Sequence, residues 1–337
     1  MRLVRYGVLM AAFLAYESAL AYLRSHAAHG GKQLPYARTT KLPNSTKEVA
    51  NSISGCPVEA FVHGKAHVLV SDQANRSQRP SCVCHVWSAP RASGSFYSLG
   101  DGIYISTPEF LFLQMAGKVS PYRLMTIGYE LCGTYVIYRQ FGRGIVTSTH
   151  PLTSTNRIAR FLEKNPGRYG VKAAREALRW IVDLSNSPME SVLSMLFVLP
   201  KTQGGQHLSG IELNREFKLN AEWRRRLGKR SFKPDVYFTE ERVAVEYYGS
   251  DHDAVSAKEY DATRQALMEY LGIRVLGVTK AQLYDPDKYQ GMLKELYRLL
   301  GRKYTRPTPK QQMATLFLKD EILPGHDSSR YLGAFWQ

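Results

Sequence analysis

The stretch from residue 232 to residue 253, FKPDVYFTEERVAVEYYGSDHD, decides the fold of the second half of the chain. Residues 232–238 and 242–248 are two runs rich in β-forming side chains, and the polar turn TEE separates them. This pattern predicts a β-hairpin. Glu246 is the one charged residue between Val243 and Tyr248, and burying a carboxylate on a strand is costly unless a partner neutralises it.

Asp235 is the first candidate partner in that hairpin. It precedes Glu246 by eleven positions and can lie across the hairpin from it. Two carboxylates on adjacent strands form a binding site for a hard divalent cation such as Mg²⁺, or Mn²⁺ in its place. The alternative is structural: Asp235 belongs to a turn that Pro234 starts, and Glu246 pairs with an arginine such as Arg264.

The segments around the hairpin predict a mixed sheet. A helix is expected over SPMESVLSMLFVL, with Ser187 as its cap and Pro188 at its first position. After the hairpin follow a helix over AKEYDATRQALMEYLG, a short strand over IRVLGVT and a helix over YQGMLKELYRLL. This order predicts an α/β (α+β) fold in which helices flank a mixed sheet, with the acids near its centre.

Several short motifs in this region carry a family resemblance. They are SPME at 187–190, KPD at 233–235, EYYG at 246–249, His252, DATR at 261–264 and LGIRVL at 271–276. In order and spacing, the segment from about 185 to 302 resembles the small endonuclease-like domains related to very-short-patch repair nucleases, within the PD-(D/E)xK superfamily. The resemblance implies a restriction-endonuclease-like fold and metal-dependent hydrolysis of phosphodiester bonds in DNA, with RNA as the alternative substrate.

The resemblance also implies a set of metal ligands. Asp235, Glu246 and the carbonyl of Tyr247 would hold Mg²⁺, and Glu190 would contribute directly or through water. The metal would polarise the scissile phosphate and lower the pKa of the attacking water. The chain departs from the family at Tyr248, where relatives have Asp, or Lys across the superfamily; tyrosine carries no charge near neutral pH.

Two other residues are candidates for the missing charge. His252 and Lys280 follow the two predicted strands and could act as general base or stabilise charge on the phosphate. Asp261 and Arg264 are expected to be structural, as a pair three residues apart on a helix that supports Glu246 or orients His252.

Basic side chains are concentrated just before the hairpin. The chain has 45 Lys and Arg against 29 Asp and Glu, a net charge of +16, and such an excess favours nucleic acid as a partner. The predicted DNA-binding residues are Arg224, Arg225, Arg226, Lys229, Arg230 and Lys233. Phosphate neutralisation would give affinity without sequence preference and a steep salt dependence. The alternative is a solvated charged loop.

The first 150 residues predict a smaller α+β unit. Short β-rich runs between residues 58 and 108 are broken by Gly, Pro, Ser and Asn. The sequence SCVCHVW could hold zinc, but two buried thiols on a strand are the favoured interpretation, because Cys82 and Cys84 then share one face and His85 points away. SAL at 18–20, STPE at 106–109 and ELCGTY at 130–135 resemble the regulator-like front of some type IV antitoxin proteins, which implies recognition of DNA or of a protein partner.

Composition divides the chain into four segments. These are a recognition or regulator-like domain at 1–150, a helical linker at 151–184, the nuclease-like domain at 185–302 and a tail at 303–337, in which LFLKDEIL and YLGAFWQ could dock on the body. The apolar run from Tyr6 to Tyr16 is too short to cross a bilayer. It predicts a buried first helix, with a secretory signal as the alternative. We therefore expect no membrane partner and a cytoplasmic protein.

Two classes of function follow. The first is a metal-dependent DNA endonuclease, a hydrolase acting in repair, defence or mobile-element biology. The second is a non-catalytic, antitoxin-like regulator that binds nucleic acid and keeps a nuclease fold. Tyr248 favours the second class. Glu190, Asp235 and Glu246 favour the first, because a protein that only binds phosphates has no need of three acids beside them.

Overall fold

The computed structural model describes residues 11–39, 41–43, 53–73, 80–89, 91–138, 144–148, 150–249 and 255–329, and only the backbone of 255–262. The chain divides into two compact units, Met1–Arg179 and Trp180–Gln337. Both units contain helices and strands, which confirms the mixed α/β class. None of the described helices has both the length and the apolar character that crossing a bilayer requires.

The first unit is built around a mixed sheet. Its described strands are β1 (Ala12–Leu14), β2 (Phe61–Val62), β3 (Lys65–Val70), β4 (Cys82–Val86), β5 (Phe96–Gly100), β6 (Ile103–Ser106), β7 (Tyr135–Ile137) and β8 (Ile145–Thr147). The sheet runs β2-β3-β1-β6-β5 with β4 beside β3, while β7 and β8 pair separately. The described helices are α1 (Tyr16–Ala28), α2 (Pro108–Ala116), α3 (Pro121–Cys132), α4 (Thr155–Glu163) and α5 (Val171–Leu178). The last two fall in the stretch predicted as a linker, and they belong to this unit.

The start of the chain corrects one prediction. The apolar run was predicted to form a buried helix, but Ala12, Phe13 and Leu14 form a strand at the centre of the sheet, and α1 begins only at Tyr16. All three strand residues are fully buried. A continuous apolar run therefore fits a strand covered on both faces as well as it fits a buried helix. Residues 1–10 lie outside the described part of the chain.

The cysteine prediction is confirmed. Cys82 and Cys84 lie on β4, both are buried, and their Sγ atoms are 3.9 Å apart on one face of the strand. All four cysteines are buried thiols. The sequence CVC therefore contributes apolar side chains to the core, as buried thiols commonly do.

The glutamates of the motifs STPE and ELCGTY, Glu109 and Glu130, hold helices of the first unit in place. Glu130 lies in α3 and binds Arg24 of α1 through both oxygens, at 2.7 and 2.6 Å, while its Oε1 also accepts the N–H of Ile137 at 2.8 Å. Glu109, in the first turn of α2, binds Arg157 of α4 at 3.0 Å. Both glutamates are buried. These pairs satisfy buried charges, so the motif residues have a structural role.

The second unit contains the hairpin predicted from the opening stretch. Its described strands are β9 (Ile211–Leu213), β10 (Phe217–Lys218), β11 (Ser231–Phe232), β12 (Val236–Phe238), β13 (Val243–Tyr248) and β14 (Arg274–Thr279). Its described helices are α6 (Pro188–Val198), α7 (Ala221–Leu227), α8 (Val255–Tyr270), α9 (Lys280–Tyr284), α10 (Pro286–Leu299) and α11 (Pro309–Ile322). The main sheet runs β14-β13-β12-β9; β13 and β14 are parallel and the other pairs antiparallel. The hairpin and the mixed sheet are thus confirmed.

Apolar side chains cover both faces of this sheet. One face carries Tyr237 and Ala244, which pack with Trp223 of α7 and with Leu267 and Met268 of α8. The opposite face carries buried valines and Phe238, whose ring centroid lies 5.9 Å from that of Phe197 in α6. Each fully buried side chain of this size contributes roughly 1.5–3 kcal/mol. Packing on both faces therefore fixes the register that places the polar residues at the end of the sheet.

The predicted tail contains a helix. Helix α11 includes most of LFLKDEIL, and Thr315 donates from Oγ1 to the carbonyl of Gly204 at 2.9 Å. Leu316 and Leu318 are buried. The segment LFLKDEIL therefore packs against the rest of the second unit, of which α11 is a part, as the sequence predicts. The segment YLGAFWQ lies outside the described residues.

Candidate active site

Asp235 and Glu246 lie side by side at one end of the main sheet. Val236 pairs with Val245 across the hairpin, so the next two opposed residues in this antiparallel register are Asp235 and Glu246. On the other side of Asp235, the N–H of Asn214, the residue after β9, donates to the Asp235 carbonyl at 3.3 Å. The predicted juxtaposition of the two acids therefore follows from the observed register.

Glu190 joins this group from helix α6. Ser187 caps the helix by accepting the N–H of Glu190 at 3.2 Å, which places the glutamate in the first turn. Oε2 of Glu190 accepts the N–H of Asn186 at 2.7 Å and the side-chain N–H of Asn214 at 2.5 Å. Asn214 thus connects Glu190 to the strand end that carries Asp235.

The three carboxylates interact electrostatically. Burial, together with the charge of Asp235, raises the pKa of Glu190 to about 7. Burial, with the charges of Asp235 and Glu190, raises the pKa of Glu246 to about 8 against the opposing effect of Arg264. Burial also raises the pKa of Asp235. Neighbouring buried acids disfavour one another's ionised form, so a cation between them would relieve their repulsion.

A backbone hydrogen bond orients Asp235. Its Oδ2 accepts the N–H of Tyr247 at 2.8 Å, which ties the carboxylate to the neighbouring strand. Tyr247 is predicted to bind the metal through its backbone carbonyl. The contact with Asp235 uses the N–H of the same residue, so the carbonyl's role stays a prediction.

Arg264 of α8 brings a positive charge to this site. Its guanidinium lies 2.7 Å from Oε2 of Glu246 and its Cζ 5.1 Å from the centroid of the Phe232 ring. The predicted structural pairing of Glu246 with Arg264 is therefore confirmed for one oxygen. The other oxygen, Oε1, is buried and has no hydrogen-bond partner among the described residues. The side chain of Asp261 lies outside what the structure describes.

Glu246 also lines a small cavity. The cavity measures about 160 Å³, and its walls are Glu246, Tyr248, Arg264, Gln265, Met268, Val275 and Gly277. Tyr248 lies two residues after Glu246 and therefore on the same face of β13. A Cβ at Gly277 would overlap the Tyr248 ring. The absence of a side chain at 277 thus makes room for the Tyr248 ring.

His252 and Lys280 are predicted to supply the charge that Tyr248 lacks, and the structure describes only the second of them. His252 lies outside the described residues. Lys280 is exposed at the start of α9, and its Nζ lies 5.3 Å from the centroid of the Tyr284 ring. Tyr248 pairs with Thr279, so Lys280 follows β14 at the same end of the sheet as the acids. Its part in catalysis stays a prediction.

The predicted DNA-binding residues are all exposed. Trp223 and Leu227 anchor helix α7 in the apolar cluster that contains Ala244, the residue two before Glu246 on the same face of β13. Arg226 stacks on Trp223, with its Cζ 4.9 Å from the ring centroid. Arg224 donates to the Leu219 carbonyl at 2.7 Å. These six residues form the basic surface, and its members on α7 lie over the face of the sheet that carries Glu246.

The donors present fit a hard divalent cation. Glu190, Asp235 and Glu246 offer carboxylate oxygens, which Mg²⁺ and Mn²⁺ prefer, and Oε1 of Glu246 is buried without a hydrogen bond among the described residues. The ligand oxygens of the three described acids do not all lie within 4.8 Å of one another. Of the two predicted modes for Glu190, direct or through water, the water-mediated one therefore fits better than direct ligation by all three acids.

Sequence reasoning missed one member of the site and underrated another. Asn214 is a single polar residue after a short strand, and no motif distinguishes it. Arg264 was recognised only as a structural partner, yet its charge lowers the pKa of both Asp235 and Glu246. The conformation of Asn214, with φ at +51°, is one that Asn adopts more readily than most residues.

Neither a family model, nor a curated protein, nor a solved structure matches the chain.

Proposed function

We propose that the second unit is a metal-dependent endonuclease of the PD-(D/E)xK kind, related to the very-short-patch repair nucleases, that hydrolyses phosphodiester bonds in DNA. The observation that carries the proposal is the convergence of Glu190, Asp235 and Glu246 from three separate segments, where the charge of Asp235 raises the pKa of both glutamates. Two of these acids are buried, and neighbouring acids disfavour one another's ionised form. A bound cation would offset their charge, so the cluster favours a metal site.

Asp235 and Glu246 would hold Mg²⁺ or Mn²⁺, with Glu190 acting through water and the Tyr247 carbonyl as a further ligand. When bound, the metal supplies positive charge that polarises the phosphate and lowers the pKa of a bound water. Arg264 fixes one oxygen of Glu246 at 2.7 Å, which supports an arrangement in which the other oxygen serves as ligand.

The remaining residues position these acids and the substrate. The Tyr247 N–H holds Asp235, and the Asn214 amide holds Glu190. Tyr248 lines the same cavity as Glu246 and Arg264, where its hydroxyl can donate a hydrogen bond to a phosphate oxygen. Lys280 and His252 are proposed as sources of the general base.

The exposed basic residues of 224–233 would hold the DNA backbone. Because α7 packs over the face that carries Glu246, phosphates bound there would lie on the same face as the acids. Contacts of this kind give affinity without reading sequence. Sequence selection, or contact with a protein partner, is then proposed for the first unit.

Two observations favour a second candidate function. Tyr248 replaces a residue that the family uses near the metal, and Arg264 already occupies one oxygen of Glu246. Both fit an antitoxin-like regulator that binds nucleic acid through a nuclease fold without cutting it. In this alternative the basic surface is functional and the acids are not.

A cleavage assay separates the two functions. The full chain is incubated with plasmid and single-stranded DNA in Mg²⁺, in Mn²⁺ and in chelator, beside the variants Asp235→Asn and Glu246→Gln. Glu212→Gln is the matched control, because Glu212 is an exposed acid on the same sheet whose partner is Arg215 at 3.6 Å. Cleavage that requires metal and that only the site variants lose supports the nuclease. DNA binding without cleavage in any metal supports the regulator.

A further inference from the structure

A second cluster of metal-binding side chains lies in the first unit, far along the chain from the carboxylates. Glu17 is in the first turn of α1, His67 is on β3 and His85 is on β4. Strands β3 and β4 are parallel neighbours in which His85 pairs with Leu69. His67 lies two residues before Leu69, so the two histidines are diagonal neighbours on one face of the sheet.

The three ligand atoms are already close together. Nδ1 of His67 lies 2.8 Å from Oε2 of Glu17 and 3.1 Å from Nε2 of His85. One oxygen or nitrogen from each residue lies within 4.8 Å of the other two. In a tetrahedral zinc site with bonds of about 2.0–2.1 Å, neighbouring ligand atoms lie about 3.3 Å apart. Small shifts would therefore bring all three into coordination.

Hydrogen bonding alone leaves this cluster incompletely satisfied. Nδ1 of His67 is in line to share a proton with Nε2 of His85, but Oε2 of Glu17 is buried and accepts no well-aligned hydrogen bond from the described residues. A neutral imidazole nitrogen has a single proton or a single lone pair, so Nδ1 cannot serve both neighbours. A metal ion in place of that proton would use a lone pair from each of the three atoms.

The surroundings hold the cluster in this arrangement. The N–H of His67 donates to Oγ of Ser18 at 2.7 Å, which fixes β3 against the start of α1. The Tyr16 ring lies against that of His85, tilted by 31° with centroids 4.1 Å apart, and the φ of Tyr16, +49°, is strained for a tyrosine. The residue before Glu17 is therefore held in an unfavourable conformation where the glutamate meets the two histidines.

We propose that Glu17, His67 and His85 bind one Zn²⁺ ion, with the fourth position open to water or to a ligand from another molecule. Two imidazoles and a carboxylate are the donors of three-ligand zinc sites, whereas Mg²⁺ prefers oxygen alone. The Glu17 side chain is 39% exposed and that of His67 is 16% exposed, so the edge of the cluster is open to solvent, while Oε2 of Glu17 and His85 are buried. The site shares no residue with the proposed nuclease centre.

Zinc binding by the tag-free full chain tests the proposal. The protein is stripped with chelator, titrated with Zn²⁺ against a competing chromophoric chelator and analysed for bound metal. We expect one tightly bound Zn²⁺ per chain, and affinity reduced at least about tenfold in Glu17→Gln and His67→Gln. His150→Gln, which changes an exposed histidine of the same unit, should leave affinity unchanged. Glu17 and His67 are substituted because their side chains are partly exposed, whereas a variant of the buried His85 could fail to fold.

Cobalt substitution identifies the ligands. Co²⁺ bound by two histidines and a carboxylate should give visible bands of a low-symmetry site without the near-ultraviolet charge-transfer band of a thiolate. Cys84→Ser should keep this spectrum, because Cys84 and His85 are consecutive on β4 and point to opposite faces. Stoichiometric binding that persists in His67→Gln, a thiolate band, or no bound metal would each overturn the proposal.

Discussion

Arg264 binds one oxygen of Glu246 at 2.7 Å, and the other oxygen of that carboxylate is buried without a hydrogen-bond partner among the described residues. Only one of the two oxygens of Glu246 therefore has a cationic partner among the described residues. An ion pair that served only stability would be expected to satisfy both oxygens, because an unpaired buried acceptor is costly. The incomplete pairing fits a carboxylate that shares its charge between a fixed arginine and a second cation.

Removal of Arg264 should destabilise the second unit strongly. At about pH 9, above the pKa of about 8 of Glu246, Arg264→Met would leave that carboxylate buried and unpaired, and we expect a loss of about 3 kcal/mol in the free energy of unfolding, measured by urea denaturation. Adding Glu246→Gln to Arg264→Met should restore most of that loss, since it removes the uncompensated charge. Arg298→Met, which breaks the exposed pair with Glu295, is the control and should change stability little. Equal losses in both arginine variants would contradict the assigned role.

Glu190→Gln should stabilise the metal-free protein. The amide oxygen can accept the hydrogen bonds from Asn186 and Asn214 that Glu190 accepts now, while the repulsion with Asp235 disappears. We expect the melting temperature in chelator to rise, by an amount equivalent to about 1 kcal/mol. Added Mg²⁺ should stabilise the variant less than the parent protein. A variant that melts lower than the parent in chelator would show that the charge of Glu190 is needed for folding.

Lys319 should make stability depend on pH. Its Nζ lies 3.6 Å from the centroid of the Tyr289 ring, and burial lowers its pKa to about 7 against the opposing charge of Asp285. Between about pH 7 and the unfolded pKa of about 10.4, the unfolded chain binds more protons at Lys319 than the folded chain does, so the free energy of unfolding rises with pH. This contribution is lost as the pH falls through about 7.

Lys319→Met should remove that dependence. Between about pH 7.5 and about pH 9.5, the parent protein should gain on the order of 2 kcal/mol relative to the variant. Urea denaturation of both proteins at the two pH values measures the difference. Parallel pH profiles would mean that Lys319 stays protonated in the folded state.

The basic surface should control the salt dependence of DNA binding. Arg225→Ala combined with Arg230→Ala removes two exposed charges of the predicted DNA-binding set. If each neutralises a phosphate, the slope of log affinity against log salt should fall by about 0.9 per residue, with no change in sequence preference. Lys310→Ala removes an exposed charge on α11 and should leave the slope unchanged. The same slope in all three proteins would assign these arginines to a solvated surface.

Local patterns in the sequence were sufficient to predict the hairpin and its acids. Strand alternation and the turn TEE specify the register, and the register alone places Asp235 beside Glu246. Ala12–Leu14 was wrongly assigned to a helix, because three apolar residues carry no periodicity that distinguishes a covered strand from a buried helix. Contacts between distant segments were the hardest to predict.

The partners of the charged residues depend on tertiary packing. Asn214 meets Glu190 only because β9 lies beside β12. Glu17, His67 and His85 come together through the docking of α1 on two adjacent strands, and their spacing in sequence matches no metal-binding motif. Gly277 acquires its role only when the Tyr248 ring lies over it. Each of these contacts is fixed by folding and has no local signature.

The most direct test of the central claim is anomalous diffraction from crystals of the full chain soaked in Mn²⁺. If the acids form a cation site, an anomalous peak will lie between the carboxylates of Asp235 and Glu246, with Arg264 still on the second oxygen of Glu246, and Asp235→Asn crystals will lack it. Crystals in which the parent protein shows no peak there at saturating Mn²⁺ would contradict the claim.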